Sequence, residues 1–312
     1  MRLSDRISAT MMHASARWTV RYGEELRFAG TDLPSPRKVK VPTRHGSVPV
    51  HVYADPAWDR DQPRGVYVHF HGGAWLMRYP QMDDFWCRYL VATAGVVVVN
   101  VDFTTGPYAA YPVAQEQCHD VSAWVHDHAA DRLAAVTGVP VDGDRLVVGG
   151  FSSGGGLAAS VCLQARDSGR FTPRLQVLGV PALDLATDVS SSPGMISPSL
   201  RGLVRRVYFP DPATRADPYA SPVLAPDLSG LPAAVVLTAE RDSLRPDGDR
   251  YVERLREVGI PVVHDVTPGA DHYFLSADLV RARATMAMTA EAVRTATGGQ
   301  TPDQTHDQTG AP

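Results

Sequence analysis

The sequence predicts an α/β fold with a mostly parallel central sheet and helices on both faces. Short apolar runs rich in β-branched residues alternate along the chain with segments of helical periodicity, as in repeated βα units. One run, 96–101, is almost entirely valine, which is typical of a strand buried on both faces of a parallel sheet. In such folds we expect a functional site at the carboxyl ends of the strands.

The composition is that of an ordinary globular domain. The chain has 312 residues, of which 44% are hydrophobic and 21% charged, and this length is enough for one large core. The formal net charge of -4 predicts neither a nucleic-acid partner nor an acidic-membrane partner. No apolar run approaches the length of a membrane span, so we expect no membrane insertion.

Three cysteines, Cys87, Cys118 and Cys162, are widely spaced and form no pattern of a zinc site or a disulfide framework. The first residues carry no signal-peptide pattern. These observations favour a reducing, cytoplasmic setting and predict no bound metal.

The N-terminal part of the chain predicts two short helices followed by a hairpin. The helices end near Gly30, and alternating runs at 38–41 and 48–53 around a turn at 44–47 predict antiparallel strands. Pro49 lies in the second strand, which indicates an edge position. Apolar residues recur at helical spacing over the first 30 residues, and we expect these to be buried: Leu3, Ile7, Met11, Trp18, Tyr22, Leu26 and Phe28.

The rest of the chain alternates between strands and helices. The predicted strands are 65–70, 96–101, 145–150, 175–180, 233–238 and 260–266, and the predicted helices are 82–94, 113–128, 153–167, 248–258 and 276–296.

The proline-rich stretch 182–230 interrupts this alternation. It contains a single predicted helix, 200–208, and a long insertion of this kind is usually functional. We expect it to form a cap over the site together with residues 1–33. We therefore predict one domain over 1–296 and a disordered polar tail over 297–312.

A glycine-flanked serine follows the predicted strand 145–150. In Gly150-Phe151-Ser152-Ser153-Gly154 the pattern G-x-S-x-G stands between a strand and a helix, which is the setting of a nucleophile elbow. Glycine-rich turns of this kind also bind phosphate or simply pack tightly, so the functional interpretation depends on partners elsewhere in the chain.

A candidate oxyanion hole follows the strand 65–70. The segment 71–75 reads His-Gly-Gly-Ala-Trp, and its glycines free the backbone to turn N–H groups inward. We expect the N–H groups of Gly73, Ala74 and Ser153 to hold an oxyanion, with Gly72 supporting the turn of this oxyanion hole.

A base and an acid follow the last two predicted strands. His272 is the one histidine in a loop after a late strand, where it has the freedom to reach Ser152. Asp242 follows the strand 233–238 and could accept the imidazole N–H and fix its tautomer. The competing acids are Glu240, which more plausibly braces the loops, Asp247, and Asp271, whose place beside His272 in sequence is poor geometry for orienting that ring.

The chain order serine, aspartate, histidine is that of α/β-hydrolases. The chain resembles the hormone-sensitive-lipase-like family of these enzymes, the bacterial family IV carboxylesterases, from about residue 38 to 290. The resemblance implies an α/β-hydrolase fold, a catalytic triad of Ser152, Asp242 and His272, and no cofactor. Members of this family associate through the last strand and helix, and Val262, Val263 and Val266 could form such an edge in a homodimer, although the same residues are equally expected in a core strand. The resemblance to the family rests on six segments: 71–75, 101–103, 150–155, 219–222, 242–244 and 272–274.

Three residues depart from the family pattern around the site. Ala74 replaces the third glycine of the oxyanion loop, and we expect its Cβ to exclude esters of tertiary alcohols. Phe151 replaces the usual aspartate before the serine and Ser153 the usual alanine after it. The family's Arg-Leu-Ala-Pro is Thr-Thr-Gly-Pro at 104–107, so an acid and an arginine are lost together.

The site predicts a serine carboxylesterase that acts on a small-molecule ester through an acyl-enzyme, with short acyl or aryl esters favoured by the resemblance. A second hypothesis assigns the same site to a different reaction. The protein would then be an amidase or formamidase, an acyltransferase, or a cyclase or lyase of specialised metabolism. A third is a receptor on an inactive hydrolase fold, although such proteins lose a triad member. An epoxide hydrolase or dehalogenase would need an aspartate in place of Ser152.

Overall fold

The structure, a computed structural model, describes residues 1–20, 23–187 and 194–298. Within these ranges a sheet of eight strands runs in the order β1-β2-β4-β3-β5-β6-β7-β8. β1 and β2 are antiparallel to their neighbours and all other pairs are parallel. The strands are β1 (Arg37–Thr43), β2 (Gly46–Tyr53), β3 (Arg64–Phe70), β4 (Val97–Val101), β5 (Val141–Phe151), β6 (Leu175–Gly179), β7 (Ala233–Ala239) and β8 (Val262–Thr267).

The helices lie on both faces of this sheet, which confirms the predicted fold class. α3 and α5 pack together over one face, and α2 and α9 over the other. The helices are α1 (Leu3–Thr19), α2 (Asp84–Ala94), α3 (Val113–His128), α4 (Ala134–Thr137), α5 (Ser153–Ser168), α6 (Pro198–Val207), α7 (Arg245–Glu257), α8 (Phe274–Ala277) and α9 (Leu279–Ala296). No helix among the described residues is long and apolar enough to cross a membrane.

The strands bury side chains on both faces, as the all-valine run predicted. In β3, Val66, Val68 and Phe70 enter one core, whereas Tyr67 enters the other. β4 is fully buried along its length. Because successive side chains of a strand point to opposite faces, a strand covered on both sides is apolar at most positions, with Asn100 as the polar exception in β4.

The N-terminal prediction is wrong in two respects. One long helix, α1, replaces the predicted pair, and a short 3₁₀ turn follows at Glu24–Leu26. Leu26 is buried and Phe28 half-buried, but Leu3, Ile7, Met11 and Trp18 are all exposed. The helix instead turns its small residues Ala9 and Ala16 toward the protein, because a face of alanines permits close packing on α6. Tyr22 lies outside the described residues.

The edge position predicted from Pro49 is also wrong. The hairpin forms as predicted, but β1 is the edge strand and β2 lies between β1 and β4. The register of β2 with β4 ends at the pair Val50–Val101, and Pro49 lies one residue beyond it. The Pro49 carbonyl accepts a hydrogen bond from the Asp102 N–H. Proline has no N–H, but at this position beyond the end of the β2–β4 ladder no ladder hydrogen bond is lost.

The last predicted helix is interrupted at Asp278. This residue is extended, and its carboxylate accepts hydrogen bonds from the N–H groups of Val280 and Arg281, which caps the start of α9. α9 ends at Ala296, and Thr297 after it is buried. Residues 299–312, which include most of the tail predicted to be disordered, lie outside the described residues.

Candidate active site

Ser152 stands on a strained turn between β5 and α5. Its backbone angles, φ 56° and ψ -117°, lie in a region that side-chain-bearing residues rarely adopt. The turn is held by its surroundings, since the Ser152 N–H donates to Gly179 O at 2.8 Å and the Ser152 carbonyl accepts from the Ala182 N–H at 3.1 Å. The predicted nucleophile elbow therefore forms.

The glycines of the elbow are required by the close approach of β3. A Cβ at Gly154 would lie 1.8 Å from the Phe70 carbonyl oxygen, and one at Gly150 would lie 2.2 Å from the same oxygen. No side chain fits at these distances, so only glycine lets α5 begin directly beside the end of β3.

The segment 71–75 turns sharply at the same sheet edge. Gly73, Ala74 and Trp75 have φ values of 114°, 57° and 53°. The Gly73 carbonyl accepts from the N–H groups of Leu76 and Met77, which closes the turn. The N–H groups of Gly73 and Ala74 take part in none of the backbone hydrogen bonds found in the described parts of the chain. They remain available to an oxyanion.

Ser153, the third predicted donor, and Gly72, predicted to support the turn, have different positions. Ser153 is the first residue of α5, where the backbone N–H has no acceptor within the helix. Gly72, in contrast, donates its N–H to Asp83 Oδ2 at 3.3 Å. The same carboxylate oxygen lies 2.9 Å from His69 Nε2, and all three groups are buried. Gly72 therefore supports the loop while Gly73 and Ala74 remain as donors.

His272 and Asp242 lie together, and His272 lines the same cavity as Ser152. His272 Nδ1 is 2.8 Å from Asp242 Oδ2, and both side chains are buried. The other carboxylate oxygen, Asp242 Oδ1, accepts the Leu244 N–H at 3.0 Å. A carboxylate fixed in this way holds the proton of the imidazole on Nδ1 and leaves Nε2 free to act as a base.

The loops that carry His272 and Asp242 are bonded to each other. Glu240 accepts the Gly269 N–H at 2.5 Å, so this residue braces the loops as predicted. The Arg241 N–H donates to Ala270 O at 2.8 Å. Asp271 accepts the N–H groups of its neighbour His272 and of Met195, and thereby attaches the cap segment to the loop. Neither Glu240 nor Asp271 bonds the imidazole in the structure.

Two cavities meet at Ser152. The larger, of about 210 Å³, is lined by Ser152, His272 and the oxyanion loop, and its other walls are mainly apolar side chains. These include Met12 and Val20 from the N-terminal part and Ile196 and Leu200 from the insertion. A smaller cavity of about 40 Å³ shares Ser152 and Ala74 and continues toward α6. An ester has one substituent on each side of its carbonyl, and two cavities at the nucleophile can hold both.

Two of the residues that depart from the family pattern, Phe151 and Ser153, are buried in the structure. Phe151 packs in an aromatic cluster with Trp86 at 5.1 Å between ring centroids and with His69 at 5.9 Å. Phe151 thus makes apolar contacts at the position where the family usually has an aspartate. Ser153 Oγ is buried and has no hydrogen-bond partner within the described ranges. Burial lowers the pKa of His71, whose ring stacks on Phe103, so this histidine is held neutral.

Sequence reasoning missed the buried pair His69–Asp83. Asp83 lies just before α2, far along the chain from the strand that it supports, and no motif joins the two residues. Only the packing of α2 against the sheet brings them together. As to metals, no group of three His, Cys, Asp or Glu side chains in the described ranges could hold an ion.

Comparison with known proteins places this arrangement in a family. A family model described as alpha/beta hydrolase fold matches residues 67–276. An arylesterase of Saccharolobus solfataricus is 30% identical over 246 residues, which are 77% of this chain and 76% of the relative. The carboxylic ester hydrolase LipN of Mycobacterium tuberculosis is 31% identical over 285 residues, 88% of this chain and 72% of the relative.

The solved structures agree with this placement. EstE1, a thermostable carboxylesterase cloned from a metagenomic library, superposes with a TM-score of 0.79 at 28% identity, over 95% of this chain and 99% of EstE1. The motifs quoted above, the sheet and the matching relatives lead to one assignment. The chain belongs to the α/β-hydrolase fold family, as a member of its hormone-sensitive-lipase-like carboxylesterases.

Proposed function

We propose that Ser152, His272 and Asp242 form the catalytic triad of a serine carboxylesterase. The observation that carries this proposal is the 2.8 Å contact between His272 Nδ1 and Asp242 Oδ2, beside a cavity that also holds the strained Ser152. A serine of ordinary reactivity needs such a base, and a base needs an orienting acid. Family membership and the ester-hydrolase names of the relatives support the same reaction.

The reaction has two steps of acyl transfer. His272 Nε2 takes the proton of Ser152 Oγ as the oxygen attacks the ester carbonyl, and the N–H groups of Gly73, Ala74 and Ser153 hold the resulting anion. The C–O bond to the alcohol then breaks, and His272 gives its proton to the leaving oxygen. Water then attacks the acyl carbon as it gives a proton to His272. The bond from that carbon to Ser152 Oγ breaks, His272 returns the proton to Ser152 Oγ, and the acid is released. Asp242 stabilises the imidazolium in both steps.

The substrate we propose is a small uncharged ester with a short acyl chain or an aryl alcohol. The larger cavity is lined mainly by apolar side chains, and its volume of about 210 Å³ suits a group of modest size. Relatives named as an arylesterase and, in Pseudomonas putida, an ethyl acetate hydrolase support these classes. Residues 1–33 and 182–230 would act as the cap, since residues from both line the cavity.

A p-nitrophenyl ester series from acetate to dodecanoate tests the proposal. Turnover should be highest for short chains and should be abolished in Ser152→Ala, and a fluorophosphonate should add once to the wild-type protein by intact-mass spectrometry. A labelled serine without ester turnover would redirect the assignment to an amidase, acyltransferase or cyclase. An unlabelled wild-type protein would contradict the triad.

We also propose a homodimer and a reducing, cytoplasmic setting. β8 is the last strand in the sheet order and Val263 is exposed on it, so a second copy could extend the sheet there. Val263→Lys should then shift the molecular mass measured by light scattering from dimer to monomer. Cys87, Cys118 and Cys162 are free, buried thiols, which suits a reducing compartment.

A further inference from the structure

The outer face of α1 carries an apolar stripe that the protein itself does not cover. Leu3, Ile7, Met11 and Trp18 are 74%, 52%, 66% and 58% exposed. At 3.6 residues per turn these four positions and the exposed Ala14 fall within an arc of about 80°. We call these five residues the α1 stripe. The buried side of the helix, with Ala9 and Ala16, lies on the opposite side.

Positive charge runs beside the α1 stripe. Arg6 and Arg17 are exposed and lie along one flank of it, and Arg2 is exposed just before its first residue. The only acid of the helix, Asp5, is buried and bonded to Arg206 of α6 at 2.9 Å, so it does not neutralise this flank. The guanidinium of Arg17 stacks over the Trp18 ring at 3.9 Å. An apolar face bordered by arginines and a tryptophan is typical of helices that lie in a membrane–water interface.

We propose that the α1 stripe docks the protein on an anionic phospholipid surface. The helix would lie in the headgroup plane, with its apolar side chains in the acyl boundary and its arginines on lipid phosphates. The net charge of -4 predicted no acidic-membrane partner for the chain as a whole. The structure instead gathers positive charge locally, on a helix whose large apolar residues point outward.

The charges favour lipid over a second copy of the chain. A two-fold antiparallel pair of α1 helices would set the arginine flank of one copy against the same flank of the other. Like charges in contact repel, whereas phosphates attract the same side chains. Docking would also have a use if the esterase proposal holds, because Met12 on the inner side of α1 lines the cavity at Ser152. The cavity wall would then sit directly on a surface that concentrates apolar esters.

The test measures binding of the full chain to vesicles by cosedimentation. We expect the wild type to bind vesicles of phosphatidylcholine mixed with phosphatidylglycerol, and Leu3→Ser/Ile7→Ser/Met11→Ser to lower the partition coefficient at least tenfold. The control Leu279→Ser/Val280→Ser removes exposed apolar residues at the start of α9 and should bind like the wild type. Arg2→Gln/Arg6→Gln should weaken binding about fivefold per arginine on these vesicles, but not on neutral ones.

Trp18 provides a direct readout of the contact. Of the five tryptophans in the chain it is the exposed one, so vesicles should shift the emission to shorter wavelength in the wild type and not in Trp18→Phe. Ser152→Ala should bind vesicles like the wild type, which separates docking from the esterase assignment. Failure of the wild type to bind, or undiminished binding of the triple serine variant, would overturn the proposal. The proposal would also be overturned if the wild type formed a dimer and did not bind vesicles, and if the triple serine variant were a monomer.

Discussion

Backbone strain in this protein is concentrated at the residues around Ser152. Ser152, Ala74 and Trp75 all have positive φ values without being glycine, and Val180 in the cavity wall is a fourth. Each such residue costs on the order of 1 kcal/mol or more, and the surrounding hydrogen bonds maintain it. All of these residues except Trp75 line one cavity together with Gly73, and in the proposed mechanism a reacting carbonyl would meet the Ser152 hydroxyl and the N–H groups there.

Asp242→Asn should lower kcat roughly 10³- to 10⁴-fold while leaving the protein folded. An amide in that position can donate to Nδ1 and stabilise the tautomer that lacks a free Nε2 lone pair, so the base is lost. The measurement is kcat with p-nitrophenyl acetate, with Glu253→Gln, an exposed acid on α7, as the matched control. A fall of less than tenfold would argue that another residue orients His272.

Ala74→Gly should admit esters of tertiary alcohols. Removal of the Cβ widens the oxyanion loop, and glycine adopts the φ of 57° without strain. We expect the ratio of kcat/KM for tert-butyl acetate to that for n-butyl acetate to rise about tenfold or more, which corresponds to about 1.4 kcal/mol of differential transition-state binding. An unchanged ratio would place the steric barrier elsewhere in the cavity.

At the scale of elements, the site depends on how closely α5 approaches β3. Three glycines follow Ser153, and the first of them, Gly154, touches the Phe70 carbonyl at the end of β3. This contact brings the N-terminus of α5, with its unpaired N–H groups and positive dipole end, to the oxyanion loop. Close packing of one helix on one strand thus joins the nucleophile to its electrostatic support.

Gly154→Ala should reduce the free energy of unfolding by about 3 kcal/mol or more, because a Cβ 1.8 Å from a backbone oxygen forces the helix away from the sheet. Gly202→Ala in α6 is the matched control. Its Cβ would meet only the flexible end of Arg206 at 3.0 Å, so helix propensity should make it neutral or stabilising by up to about 1 kcal/mol. Urea unfolding of both variants gives the comparison; equal effects would contradict the packing argument.

At the scale of the whole molecule, charged groups join α1 to α6 and α6 to α7. Asp5 of α1 bonds Arg206 of α6, and Arg201 of α6 lies 3.7 Å from Asp247 of α7. Burial raises the pKa of Asp247 to about 7, in spite of the opposing charge of Arg201. The contact between α6 and α7 therefore includes a carboxyl group that changes its charge near neutral pH.

The contribution of Asp247 to the stability of the wild type should therefore decrease between about pH 4 and pH 7. The unfolded chain releases the Asp247 proton at its ordinary pKa of 3.8, whereas the folded protein retains it to about 7, so the folded state binds more protons in this interval. The loss is at most about 4 kcal/mol. Asp247→Asn removes this dependence, so its stability relative to the wild type should increase from pH 4 to 7 in urea unfolding. A constant difference across that range would contradict the raised pKa.

The sequence by itself determined the strand and helix alternation, the sheet buried on both faces and the residues proposed for the triad. Local patterns determine these features. A strand covered on both sides is apolar at most positions, and an elbow needs glycines around its serine. The chain order of Ser152, Asp242 and His272 then follows from the order of the strands, since each residue stands at a strand's carboxyl end.

Only the tertiary structure decided which way α1 faces, why Pro49 is tolerated inside the sheet, and that Asp83 supports Gly72. Helical periodicity reveals an apolar face but not what covers it, and in α1 the small residues on the other side pack more closely on α6. Pro49 and Asp83 depend on where a ladder ends and on contacts between residues distant in sequence. Such contacts arise when elements dock, and no local pattern encodes them.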